Sequence, residues 1–277
     1  MKNICTILLV CWVLLSFLSC GSQAAGTEVI PLPKAHAHND YRHARPLLDA
    51  LSHGFCGVEA DIFLVDGDLL VAHDRRELKP DRTLRSLYLD PLRKCIAANE
   101  GRVYRKGPMV TLLIDFKTAA APTYEALYKM LAEYSDIVTS FGPDGRKDKA
   151  LIVIVSGNRP RDLMASQKIR YAFYDGRLAD LESNAPADLI PLISDRWTSH
   201  FRWRGEGPMP AEESRKLRDI VEKAHAKGRR VRFWSTPDAP SAARQALWTE
   251  LFDAGVDLLN TDDLPGLQKF LLDKRSK

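Results

Sequence analysis

The chain has 277 residues, 45% of them hydrophobic and 27% charged, which suits one large globular domain or at most two small ones. Its formal net charge of +4 is spread along the whole length. No Lys/Arg block is interleaved with aromatics, so a nucleic-acid-binding stripe is excluded, and the mild surplus is compatible with an anionic substrate without arguing for one.

Residues 1–20 read as a secretory signal: Lys2 is followed by the apolar run ICTILLVCWVLLSFLSC. It is too short and wrongly flanked for a membrane span. Two processing sites compete. FLSC, ending at Cys20, resembles a bacterial lipobox, with Phe17 where Leu is commonest, whereas SQA at 22–24 fits the small-x-small rule of ordinary signal peptidase. The reading adopted is a lipoprotein acylated at Cys20, exported and anchored in the bacterial cell envelope; the ordinary site would make it periplasmic or secreted. Cys5 and Cys11 leave with the signal, so Cys56 and Cys95 remain in the folded part. Two cysteines are no disulfide framework, no Cys-x-x-Cys spacing points to zinc, and Cys56 is expected in the core.

After a linker over 21–33, strand-like runs alternate with helical ones. KAHAH (34–38) precedes the helical ARPLLDALSHG. GVEADIFLV (57–65) returns as a hairpin through DLLVAHD (68–74), and RELKPDRTLRSLYLDPLRKC then reads as an inserted excursion. MVTLLIDFK (109–117) and ALIVIVSG (150–157) flank YEALYKMLAEYSD. IRYAFYDG (169–176), DLIPLIS (188–194), RRVRFWS (229–235) and GVDLLNTD (255–262) follow, with RDLMAS, ESRKLRDIVEKAHAKG and AARQALWTELFDAG as helices. Several helical runs end in Gly, as helix C-termini do. Strand–helix alternation at this length predicts a parallel sheet covered by helices, and the number of units favours a TIM-type (β/α)8 barrel over 34–273. No G-x-G-x-x-G follows the first strand, which weakens a dinucleotide-binding reading.

In such a barrel the catalytic groups stand at the C-terminal ends of the strands, and residues two apart share a face. Three polar pairs meet both conditions: His36 and His38, Glu59 and Asp61, Asp115 and Lys117. Ala37, Ala60 and Phe116 lie between them and are expected to face the helices. Both faces of a barrel strand are buried, and unpaired buried carboxylates cost several kcal/mol unless a cation or hydrogen bonds compensate. A divalent ion held by Glu59, Asp61 and Asp115 resolves this, and all-oxygen ligands suit Mg²⁺ or Ca²⁺ rather than zinc. His73 becomes the natural partner of His38 as an acid–base pair about a reacting phosphorus, with Lys117 beside the phosphoryl oxygens.

The succession AHND, GVEADIFLVDGDLLVAHD, LLIDFK, FWSTPD and GVDLLNTDDLPGL resembles the glycerophosphodiester phosphodiesterase and phosphatidylinositol-specific phospholipase C superfamily. Within it, HAHNDY, RPLLDAL, VEADIFL, LLVAHD and RTLRSLYLDPL are most similar to the altered inheritance of mitochondria protein 6 family. The resemblance spans roughly residues 34 to 270. It implies a TIM-type barrel, His38 and His73 as the acid–base pair, and Glu59, Asp61 and Asp115 as metal ligands. It also implies Lys117 beside the phosphate and Trp234 in the pocket wall. Two departures stand out. The superfamily's first strand usually carries His-Arg-Gly, whereas Asn39 and Asp40 follow His38 here, and its third metal ligand is usually Glu rather than Asp. The arginine that grips phosphate is thus missing from its usual place.

The expectation is a metal-dependent phosphodiester hydrolase of phospholipase C or glycerophosphodiesterase type, acting on a small-molecule or lipid phosphodiester. Asn39, Asn158 and Trp234 are its candidate substrate-binding residues. One alternative is a zinc amidohydrolase-like barrel using His36-x-His38, which lacks the further histidines it would need on strands four, five and seven. Another is a non-catalytic lipoprotein that binds an envelope component. DRWTSHFRWRG (195–205) reads as a substrate lid, a membrane-facing rim or an ordinary packed loop.

Overall fold

A computed structural model describes residues 29–276, so the signal segment, Cys20 and most of the linker lie outside the described residues. The strands are β1 (Leu32–Ala37), β2 (Phe55–Val65), β3 (Asp68–Val71), β4 (Val110–Phe116), β5 (Ser140–Gly142) and β6 (Gly145–Lys147). β7 (Leu151–Gly157), β8 (Phe173–Gly176), β9 (Leu192–Arg196), β10 (Arg230–Trp234) and β11 (Leu259–Thr261) complete the set. The sheet runs β10-β9-β8-β7-β4-β2-β1-β11 with all neighbours parallel; β3 pairs antiparallel with β2, and β5–β6 form a separate hairpin. A parallel bridge between Arg232 and Leu258 brings the two ends together, so the expected TIM-type barrel is present and nearly closed.

Two apolar layers hold it. Outside, Ala37, Ala60 and Phe116 are buried among the helix-facing residues of the main core, as their alternation with the polar pairs predicts. Inside, Leu113, Ile152, Ile154, Phe173, Leu192 and Leu258 plug the barrel. Two residues further along their strands, Leu113, Ile154 and Leu192 give way to Asp115, Ser156 and Ser194. The interior therefore changes from hydrocarbon to polar groups toward the C-terminal ends, which sets the floor of a pocket.

Two local expectations are corrected. The stretch after β3 is no excursion: it forms a helical turn over Arg85–Leu89 running into the helix α1 (Asp90–Ala98), the covering crossover between the hairpin and β4. Its Tyr88 is buried and donates to Asp40 Oδ2 at 2.9 Å, tying the crossover to the segment after β1. The strand expected over 188–194 begins only at Leu192, because Pro191 lacks the N–H a ladder needs. Cys56 is a free, buried cysteine whose thiol burial pushes up to about 12, and it forms no disulfide with Cys95. The loop at 195–205 is a packed one. Trp197 and Phe201 are buried and stacked with centroids 4.0 Å apart, and Trp203 is buried beside them.

Candidate active site

A cavity of about 220 Å³ opens at the C-terminal ends of the strands, lined by His38, Asn39, Glu59, Asp61, His73, Asp115 and Lys117 on one side. Ser156, Arg177, Arg232 and Trp234 close the other. The ladder explains the acidic face: Asp61 pairs in register with Asp115, and Asp115 with Ser156 on the next strand. One oxygen each from Glu59, Asp61 and Asp115 lies within 4.8 Å of the others. Gly157 makes room for this, since at φ +66° a Cβ there would stand 2.2 Å from Asp115 Oδ1.

The three carboxylates are held differently. Glu59 accepts a close hydrogen bond from the buried Arg232 guanidinium, whose Nε also donates to Asn260 Oδ1 at 2.9 Å. Burial alone would raise the Glu59 pKa; Arg232 and the hydrogen bond from His36 reverse that and hold it far below the ordinary range. His36 Nε2 donates to Glu59 Oε2 at 3.2 Å, and burial, aided by Arg232, lowers the imidazole to about 4. It is a neutral donor at neutral pH.

Asp61 is 1% exposed. Its Oδ2 receives His73 Nδ1 at 2.9 Å, the Tyr41 hydroxyl at 2.8 Å and Lys117 Nζ at 2.9 Å. Its Oδ1 is buried and has no partner. Three donors saturate one oxygen while the other has none, in a residue grouped with two more carboxylates. A buried bare carboxylate oxygen is costly. It fits a divalent cation, and the donor set, wholly oxygen, fits a hard one. Burial raises Asp115 to about 6 against the opposing pull of Lys117, whose Nζ lies 3.2 Å from Asp115 Oδ1. Burial lowers the Lys117 pKa, but Asp61 and Asp115 outweigh it and the net shift is upward.

His38 stands just past β1. Its Nδ1 is 2.9 Å from Asp262 Oδ1 and also 2.9 Å from the Asn39 amide nitrogen. One nitrogen cannot donate to the first and accept from the second. The charge-assisted bond to the carboxylate prevails, which leaves Nε2 unprotonated in the neutral ring. Burial lowers the His38 pKa, but the Asp262 bond outweighs it and the net shift is upward. Asn39 adopts a left-handed conformation (φ 48°), tolerable for Asn, and its Oδ1 lies 2.7 Å from the Tyr41 hydroxyl, whose one proton goes to the Asp61 carboxylate. His73 follows the same rule through Asp61, so both imidazoles keep Nε2 for a ligand.

Of the expected residues, His38, His73, Lys117, Glu59, Asp61, Asp115, Asn39 and Trp234 gather at one cavity. Asn158 does not. Beyond the Gly157 turn it is exposed, and its amide donates to the Thr118 carbonyl at 3.1 Å, so it is a turn residue outside the cavity lining. The His36-x-His38 zinc pair also falls apart, since His36 is committed to Glu59 and the gathered ligand group among the described residues is carboxylate only. Sequence reasoning missed Tyr41, Ser156, Asp175, Arg177, Arg232, Asn260 and Asp262. For Arg232 a signal existed: Arg230, Arg232 and Trp234 alternate along a barrel strand and so share the inner face.

Comparison with known proteins agrees with this architecture. The AIM6-like phosphodiesterase domain matches residues 23–175, more than half of the chain, and the glycerophosphoryl diester phosphodiesterase family matches 230–265. The altered inheritance of mitochondria protein 6 of Eremothecium gossypii is 31% identical, over 88% of this chain and 70% of that protein. That of Lachancea thermotolerans is 33% identical, over 84% of this chain and 64% of that protein. A crystal structure of a glycerophosphoryl diester phosphodiesterase from Parabacteroides distasonis shares the fold, with a TM-score of 0.53 and 14% identity, covering 90% of this chain and 88% of that one. The named sequence relatives are fungal and named for mitochondrial inheritance, which overturns the expectation of an envelope lipoprotein anchored through Cys20. Fold, ordered motifs and relatives converge: the chain belongs to the AIM6-like phosphodiesterase family.

Proposed function

We propose that this chain hydrolyses phosphodiesters, with His38 and His73 as the acid–base pair and Glu59, Asp61 and Asp115 as the seat of one divalent cation, Mg²⁺ or Ca²⁺. The observations that carry the reading are the unpartnered, buried Asp61 Oδ1, the gathering of one oxygen each from Glu59, Asp61 and Asp115 within 4.8 Å, and two imidazoles at the same cavity tethered through Nδ1. The cation would supply charge for the phosphoryl oxygens. Asp262 orients His38 and keeps its Nε2 able to exchange a proton, and Asp61 does the same for His73. Lys117 adds a positive charge beside the carboxylates, and Trp234 offers an apolar wall to the group esterified to phosphorus. Small-molecule and lipid diesters both fit this chemistry.

The test is release of nitrophenol from bis(p-nitrophenyl) phosphate, and turnover of a panel of glycerol and lipid phosphodiesters, with Mg²⁺, Ca²⁺ or EDTA. Metal-dependent turnover is expected. His38→Ala and His73→Ala should each lower kcat by about a hundredfold or more with the fold intact. Turnover that persists in EDTA, or at the wild-type rate in either variant, removes the corresponding part of the mechanism.

A further inference from the structure

We propose that Arg177 is the residue that grips the substrate's phosphoryl group. The assignment rests on the phosphodiesterase reading above and deepens it. Arg177 stands just past the end of β8 and lines the cavity opposite the carboxylates. Its Nη1 donates to Asp175 Oδ2 at 2.6 Å and its Nη2 to Ser156 Oγ at 3.2 Å. The Ser156 hydroxyl in turn donates to Asp175 Oδ2 at 2.7 Å, so each of the three is bonded to the other two.

Asp175 is wholly buried, with its Oδ1 unpaired. A carboxylate placed there is expensive unless it fixes something, and what it fixes is a guanidinium whose side chain remains 25% exposed at the cavity. The contacts to Asp175 and Ser156 run through the two Nη atoms, and the side chain stays partly open in the cavity lining.

The other cations of the cavity are paired within its acidic half. Lys117 bridges Asp61 and Asp115, and Arg232 is spent on Glu59, Asn260 and Ser194. Position also favours Arg177. Ser156 pairs with Asp115 and Asp115 with Asp61, so the arginine's anchor lies one and two strand spacings, about 5–10 Å, from the acidic cluster. A tetrahedral phosphate seated between the two sides can present separate oxygens to each, and the planar guanidinium fork suits them. Asp175 and Ser156 are then positioning residues.

The experiment measures binding of inorganic phosphate to the full chain by calorimetry at a fixed Mg²⁺ concentration, alongside KM and kcat on the best diester. Arg177→Met should weaken phosphate at least about tenfold and raise KM, with Arg177→Lys intermediate. Ser156→Ala, which keeps the arginine and the buried acid, should weaken phosphate less than Arg177→Met and shift KM more than kcat. Thermal melts establish that each variant is folded, and Ser156→Ala and Arg177→Lys keep the test open if Arg177→Met does not fold. Unchanged phosphate affinity in the folded Arg177 variants, or no phosphate binding by the wild type, overturns the assignment. Phosphate binding that depends on Arg177 in a protein with no diester turnover would instead keep the anion site and remove the hydrolase reading.

Discussion

Replacing Arg232 by Met tests how the acidic half of the cavity is kept folded. The guanidinium is 2% exposed and holds Glu59, itself 6% exposed, together with Asn260. Met fills similar space but leaves a buried carboxylate without its cation, a change that costs about 3–5 kcal/mol. For a domain of this size the melting temperature should fall by roughly 6–20 °C, at about 2–4 °C per kcal/mol. The loss should shrink at about pH 5.5 compared with about pH 8. Arg232 helps to depress His36, so its removal lets the imidazole hold a proton and replace the missing charge beside Glu59. The double variant Arg232→Met/Glu59→Gln removes both partners and should recover about 1–3 kcal/mol relative to additivity. Calorimetric or circular-dichroism melts across that pH range decide the matter. A shift of the single variant below about 2 °C, or strict additivity in the double, would refute the charge-pair account.

Burial raises Asp40 to about 7, so the native state binds a proton that the unfolded chain releases near 3.8. Its contribution, about 4 kcal/mol, is present below pH 3.8 and lost as pH rises through 7. Asp40→Asn should flatten that part of a urea-denaturation profile, and an unchanged profile would show that Asp40 does not titrate as described. His36 acts oppositely: lowered from 6.5 to about 4, it gives stability that is complete above 6.5 and declines by about 3 kcal/mol as pH falls toward 4. His36→Asn should remove that acid-side slope, and a slope that persists would place its origin elsewhere. Asp61→Asn should weaken Mg²⁺ or Ca²⁺ by about 10–100-fold in a calorimetric titration, with unaltered affinity counting against the ligand set. Gly157→Ala should impair metal binding, because the new methyl would meet Asp115 Oδ1 and the residue sits at positive φ; an unaffected titration would show that the strand end yields elsewhere.

The barrel and the acidic half of the site were legible because burial on both faces makes polar residues conspicuous. Glu59, Asp61 and Asp115 interrupt runs that are otherwise hydrocarbon, and a spacing of two puts them on one face. The arginines were harder to see, since a basic residue in a strand normally reads as its solvent side. Arg232 escapes that rule because its charge is cancelled from across the barrel by Glu59, 173 positions earlier in the chain. Asp262 and Asn260 were quoted within a motif, but nothing local shows that their side chains meet His38 and Arg232. Asn158 failed for a backbone reason: it follows Gly157 at positive φ, so the chain has already left the strand axis. Ser156, two residues back, occupies the inward place instead.

The same contacts also bear on how the barrel closes. β10 and β11 meet through a single parallel bridge and the amides of Asp257 and Leu258 donating to the Val231 carbonyl, a thinner ladder than those between the central strands. Side chains reinforce it. Asp257 Oδ2 accepts from the Val231 amide and from His225, both at 2.8 Å, at the bottom of the seam. Higher up, Arg232 on β10 reaches Asn260 on β11 and continues to Glu59 on β2, crossing the seam and the floor of the cavity together. A carboxylate serving only as a metal ligand would not need that partner, and an arginine serving only as a staple would not need Glu59. The chain joins both tasks in one guanidinium, so the charge that keeps Glu59 ionised also fixes the strand carrying Trp234. Loss of Arg232 should therefore loosen the C-terminal seam and the acidic cluster together, visible as faster amide exchange at Val231 and Leu258 well before global unfolding.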